Sequence, residues 1–233
     1  MTKYELELVR LLKPLLLERG FKWVARRHCF LRKESHGFSR LIWSAYPTSK
    51  NGGRLEISPL LGVRHDSIDD IVNKLDLIYG EENRRYTTTV SRPLGFFPIQ
   101  PGKNYEQYIH DNAVEADIQT ACRNLVDLID NEGATFFSRY ASLLECCIGL
   151  NEPIASNSHP LCNNLPLRAY YGITTAWFVQ PERVPSLVTE YRDFAKISAP
   201  GQFEATSKKL DELMAVLHTA DRVAADAQEA ARR

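Results

Sequence analysis

The chain has 233 residues, 44% hydrophobic and 25% charged, ordinary values for a folded globular protein. No apolar run approaches the roughly 18 residues a bilayer-crossing helix needs, and 29 basic side chains cancel 29 acidic ones. Composition therefore argues against a membrane span, and neutrality argues against non-specific nucleic-acid binding, which needs excess positive charge to displace counterions.

Neither nucleic acid nor membrane is expected as a partner, and the expected compartment is the cytoplasm. The opening stretch MTKYELELVRLLKPLLLERG is not expected to be a signal peptide, because charges interrupt its apolar residues and no small-residue cleavage site follows. Cys29, Cys122, Cys146, Cys147 and Cys162 are odd in number and lack zinc-site spacing, so they read as reduced, mostly buried thiols. No metal or cofactor is expected.

Residues 3–19 predict an amphipathic helix with Leu6, Val9, Leu11, Leu12, Leu15 and Leu16 at helical spacing. Pro14 predicts a kink or restart, and Gly20 a C-cap. Extended structure opens at 21–24, a strand is expected over 28–33, and 34–37 reads as a polar turn. Phe38 to Val63 is the clearest stretch: two apolar runs around Asn51-Gly52-Gly53 predict a β-hairpin. A three-residue loop gathers Leu41, Trp43, Ala45, Leu55, Ile57, Leu61 and Val63 on one face and leaves Arg40, Ser44, Arg54, Glu56 and Ser58 on the other. A one-residue slip would exchange the faces of a strand, so burial favours that register.

Ser67 and Asp70 have capping-box spacing before a helix over 68–79. Residues 86–91 are a further strand candidate, and 93–102 a Pro/Gly-rich loop. Helices follow over 113–130 and 134–149, with Asn131-Glu132-Gly133 read as a break. The Asn/Ser/Pro-rich stretch 151–164 reads as a linker. Helices are then expected over 167–179, 185–197 and 203–230, the last with Leu210, Leu213, Met214, Leu217 and Ala224 in a stripe. The expected fold class is α+β: an antiparallel meander of three to five strands with helices on one face, followed by a helical C-terminal segment. The expected domains are 1–150, then the linker 151–164, then a helical segment 165–233 packed on the first domain.

No phosphate loop, dinucleotide fingerprint, nucleophile elbow or metalloprotease helix is present. His65-Asp66 at a strand-to-helix junction, with Glu56 on the hairpin, is an acid–base grouping that would suit a small hydrolase acting on a small molecule or nucleotide. The plainer reading has Asp66 or Ser67 capping the helix and His65 in solvent. His110-Asp111 has the same two readings. Arg26, Arg27, His28, Arg32, Lys33 and Arg40 could meet phosphates or an acidic partner, or keep an edge strand from aggregating. Asp69, Asp70, Asp76, Glu81 and Glu82 are read as one acidic helix face, suited to a basic protein partner or simply to solvent.

Gly20-Phe21-Lys22, Phe30-Leu31-Arg32, Trp43, Leu55-Glu56-Ile57, 125–129 (LVDLI) and 134–140 (ATFFSRY) occur in an order that resembles a bacterial family of domains of unknown function. In that family a Gly-Phe-Lys block opens a meander and a helix pair with a Pro-Phe-Phe junction closes the domain; here Ala134-Thr135 stands where the family has proline. The resemblance spans about residues 3–147 and carries no catalytic residues. Members look like immunity proteins of polymorphic toxin systems. It therefore implies a non-catalytic binding protein that neutralises a cognate toxin domain. The chain is expected to be a monomer or homodimer.

Overall fold

The computed structural model describes residues 2–48, 54–75, 81–94, 107–110, 113–155, 159–162 and 164–230. The chain divides into two compact units, Met1–Val63 with Ser91–Ala141 and Arg64–Val90 with Ser142–Arg233. The class is α+β, with an antiparallel sheet and a helical C-terminal segment. Strand order is β1 (Lys22–Val24), β2 (Cys29–Glu34), β3 (Gly37–Thr48), β4 (Arg54–His65), β5 (Val90–Pro93), and a short β6 (Gln107–His110) also pairs with β4.

In the first unit, helix α1 (Lys3–Leu17) starts at a reciprocal cap. Thr2 Oγ1 accepts from the Glu5 N–H at 3.2 Å, and Glu5 Oε2 accepts from the Thr2 N–H at 2.6 Å. Its buried stripe is Leu8, Val9, Leu12 and Leu16; Leu6, expected inside, is 59% exposed. Pro14 lies within the helix without ending it, on the solvent side. The C-terminus is a Schellman turn: Gly20, at φ 80°, donates to Leu17 O at 2.9 Å and Phe21 donates to Leu16 O at 2.9 Å. Phe21 and Leu16, the two positions whose apolar contact commonly accompanies this motif, are both buried.

The β1–β2 connection is a 3₁₀ turn, Ala25–Arg27, closed by His28 at φ 48°. Trp23 pairs with Phe30 and Phe30 with Leu41, so one face carries the ring cluster Trp23, Phe30 and Trp43. Leu41, Trp43, Ile57, Leu61 and Val63 are all buried and Ser44 is exposed, as the hairpin pattern predicts. Loop 51–53 and the side chains of Ala45, Arg54 and Leu55 lie outside the described residues. Ser58 departs from the pattern and is buried. Here β5 follows β4, and Leu94 donates to Pro59 O at 3.0 Å. The strand expected over 86–91 is β5, shorter and later in the chain, and β6 has no counterpart in the sequence reading.

Helix α4 (Glu115–Leu128) packs on α1 with Ile118, Ala121, Cys122, Leu125 and Leu128 inside. The break expected at Asn131-Glu132-Gly133 is instead a π turn, Ile129–Gly133, running on into α5 (Ala134–Tyr140). Gly133 is there for closeness: a Cβ would stand 3.3 Å from both Leu128 O and a Phe137 ring carbon.

The second unit holds α2 (Asp66–Val72), the single turn α3 (Glu81–Arg84), α6 (Leu143–Asn151), α7 (Leu165–Val179), α8 (Val184–Ser198) and α9 (Phe203–Ala230). The helix expected over 134–149 is two: Ser142 caps α6 by accepting from the Glu145 N–H at 3.4 Å. The stretch 151–164, read as a linker, falls within this same compact unit. Cys146, Cys147 and Leu150 of α6 are buried, α6 packs on α7, and both belong to one compact unit. Residues Arg168 to Ala176 of α7 are buried all round, as the centre of a helical layer requires. Helices α8, α9 and α2 also pack on α7. All five cysteines are free and four are buried.

Candidate functional site

Among the described residues, the densest polar constellation surrounds Arg64, at the end of β4 in the second unit. Strand β4 gives way directly to α2 there, which brings the acids of the first turns of α2 close to the Arg64 side chain. The Arg64 side chain is 6% exposed yet touches three carboxylates. Nε donates to Asp66 Oδ1 at 2.6 Å and Nη2 to Asp70 Oδ1 at 2.8 Å, while Nη1 stands 3.4 Å from Asp69 Oδ1. Nη1 also donates to Thr87 Oγ1 at 2.9 Å and to the Arg84 carbonyl at 3.0 Å. Asn73 Nδ2 donates to that same carbonyl at 3.0 Å. The last residue of α3 is thereby fixed, and Glu81 and Glu82 stand within one helical turn of it, about 5 Å.

Asp69 is the buried member, with 0% side-chain exposure. Its Oδ2 accepts from Thr89 Oγ1 at 2.6 Å and its Oδ1 from the Tyr171 hydroxyl at 3.1 Å. The Thr89 hydroxyl in turn accepts from the His65 N–H at 2.8 Å. Burial pushes the Asp69 carboxyl up, and Arg64 and the hydroxyl donors pull it back. Burial also works against the Arg64 charge, but the three carboxylates outweigh it and hold the guanidinium protonated.

The sequence-read residues divide sharply. Asp70, Glu81 and Glu82 are exposed. Asp69, expected beside them on an open acidic face, is instead interior: it follows Ile68 on the side of α2 that packs on α7. Asp76 lies outside the described residues. His65, expected in solvent, is buried with Nε2 3.6 Å from Cys146 Sγ. Burial and the nearby Asp69 push the Cys146 thiol up, so it is neutral rather than a thiolate nucleophile. Asp66 is 61% exposed but held by Arg64, and neither it nor Ser67 caps α2; the N-cap is His65, with no side-chain cap bond. Glu56 is half-buried on β4 in the first unit, opposite Tyr108. His65, Asp66 and Glu56 thus share no site within either unit. Of the second candidate pair, the His110 side chain and Asp111 lie outside the described residues.

Sequence reasoning missed Arg64 itself, and Asn73, Thr87, Thr89 and Tyr171. The available signal was Arg64 with acids two, five and six residues on, at the foot of a strand. Among the described residues no group of three or more His, Cys, Asp or Glu side chains could hold a metal ion, and no helix is long and apolar enough to cross a membrane. Compared with known proteins, the chain matches no family model, no curated protein and no solved structure. What the arrangement can do is present fixed negative charge: Asp66 and Asp70, at 61% and 69% exposure, are clamped by one buried cation.

Proposed function

We propose that this protein works by binding a basic protein partner through Asp66, Asp70, Glu81 and Glu82, as an immunity protein neutralising a cognate toxin in the cytoplasm. The observation that carries this reading is the clamp: Arg64 immobilises two exposed carboxylates before any partner arrives. Ordering a free side chain at an interface costs about 0.5–1.5 kcal/mol, so pre-ordered carboxylates keep more of the binding energy. Charge of one sign also speeds encounter with an oppositely charged partner. The groups that would serve acid–base or thiol chemistry nearby, His65, Asp69 and Cys146, are buried in the network.

The test is co-purification with the product of the adjacent reading frame, followed by titration calorimetry. Submicromolar binding that drops at least tenfold in an Asp70→Lys, Glu81→Lys, Glu82→Lys variant is the expected result. No binding to the neighbouring product, or an unchanged affinity in the variant, would overturn the reading.

A further inference from the structure

Helices α1 and α4 of the first unit pack side by side, and a groove opens between their first turns. It holds about 510 Å³, within the roughly 300–1,000 Å³ of ordinary small-ligand sites. Its apolar wall is Leu6, Ala113, Ile118 and the ring of Tyr4. Ile118 is buried, but Leu6 is 59% exposed. The core does not use the Leu6 side chain, which is left to the groove.

Charges of both signs complete the lining: Lys3 and Arg10, Glu7 and Glu115. One pair is already engaged. Arg10 Nε donates to Glu7 Oε2 at 2.9 Å and Nη2 to Glu7 Oε1 at 2.5 Å, so guanidinium and carboxylate satisfy each other. The other two groups do not meet. Among the described residues Lys3 has no ion-pair partner, so its ammonium stands more than about 4 Å from either carboxylate. Glu115 Oε1 accepts from the neutral Gln119 Nε2 at 3.1 Å, which leaves the Glu115 charge uncompensated by any direct bond. The groove therefore offers one ammonium and one carboxylate, held apart, beside an apolar wall. A simple anion would satisfy Lys3 but face Glu115, and a simple cation would do the reverse. A ligand with both charges on an apolar body satisfies both. A single amino acid carries its two charges on one carbon, whereas two residues place them up to about 7 Å apart, which suits groups that do not reach each other.

We propose that the α1–α4 groove binds a short apolar peptide with free ends, its carboxylate on Lys3, its ammonium on Glu115 and its side chains against Leu6, Ile118 and Tyr4. Capture of a free chain end is a recurring mode of peptide recognition. The site lies wholly in the first unit and is independent of the acidic site in the second.

The experiment is an NMR titration of the full chain with dileucine and its blocked forms. N-acetyl-dileucine keeps only the carboxylate, and dileucinamide only the ammonium. Dileucine should shift the backbone amides of 3–10 and 113–118 and bind with a Kd of roughly 0.1–1 mM, ordinary for so small a ligand. Either block should weaken binding about tenfold, as expected for one lost charged contact. Lys3→Met should weaken dileucine about as much and leave it indistinguishable from dileucinamide. Glu115→Gln should likewise leave dileucine indistinguishable from N-acetyl-dileucine. Leu6→Ser, at an exposed position, should weaken all three peptides, while Lys13→Met on the solvent side of α1 should change nothing. Absence of shifts in these amides at about 10 mM dileucine would overturn the proposal. So would blocked peptides, or free leucine, that bind as tightly as dileucine.

Discussion

His159 shows how a single buried side chain sets a pH dependence. Burial and the nearby Arg168 push its pKa down to about 4, against a backbone hydrogen bond with Gly149 that acts in its favour. Its Nδ1 accepts from the Leu161 N–H at 3.3 Å, a role that requires the neutral ring. Above pH 6.5 the ring is neutral in both folded and unfolded chains and the full stability is present. As pH falls from 6.5 to about 4 the unfolded chain takes up a proton that the folded chain refuses, so stability declines, by about 3 kcal/mol over that window. Asp130 loses stability in the same direction but lower: Arg19 holds its carboxyl below the ordinary 3.8, so its contribution disappears only beneath that value. The two are separable by window. Urea unfolding at pH 7.5 and 4.5 should show the loss in the native chain and little of it in His159→Gln. Equal acid sensitivity in both would show that the ring is protonated in the fold.

At the scale of elements, Gly172 decides how closely α6, α7 and α8 approach. Asn151 Nδ2 donates to Cys147 O at 2.9 Å and to Gly172 O at 3.0 Å, and the single proton of the Tyr191 hydroxyl is shared between Leu150 O at 3.1 Å and Asn151 Oδ1 at 3.0 Å. A Cβ at 172 would collide with Asn151 Oδ1 and stand 2.9 Å from the Tyr191 hydroxyl. Alanine ordinarily gains about 1 kcal/mol over glycine within a helix, but overpacking of this kind costs about 1–3 kcal/mol, and the lost hydrogen bonds add to it. Gly172→Ala should therefore lower the melting temperature, while Gly201→Ala, with nothing within 4 Å, should not; a neutral Gly172→Ala would mean that Asn151 has room to turn.

The same elements show what the sequence could and could not reveal. Helices α1, α4 and α9 bury one stripe each, and a one-sided stripe is written in the spacing of leucines. Strand faces of the hairpin were readable for the same reason, with period two in place of 3.6. Gly133 and Gly172 were not readable as packing residues, because nothing local distinguishes a glycine that admits a neighbour from one that ends a helix. The site was half legible. Asp70, Glu81 and Glu82 announce themselves by charge, but the burial of Asp69 depends on α7, about a hundred residues away, and Arg64 acquires its meaning only when Thr87, Thr89 and Tyr171 arrive beside it.

For the molecule as a whole, the question is whether the last helix is an appendage or part of the fold that holds the acidic site. Leu210, Leu213 and Leu217 of α9 are fully buried, and α9 packs on α7, α8 and α2. Lys209 Nζ donates to Leu75 O at 2.6 Å, tying the helix to the 3₁₀ turn that follows α2. Three buried leucines at about 1.5–3 kcal/mol each rival the entire stability of an ordinary domain, about 5–15 kcal/mol. A chain ending at Ala199 should accordingly lose the fold of the second unit. The measurement is amide exchange followed by mass spectrometry: peptides from 64–75 and 165–198 should lose protection in the shortened chain, and the Asp70→Lys, Glu81→Lys, Glu82→Lys variant should keep it. Partner binding should fail in both, through unfolding in the first and through charge in the second. Retained protection across 165–198 without α9 would make the final helix an add-on, leaving its buried leucines without a structural role in the unit that presents the site.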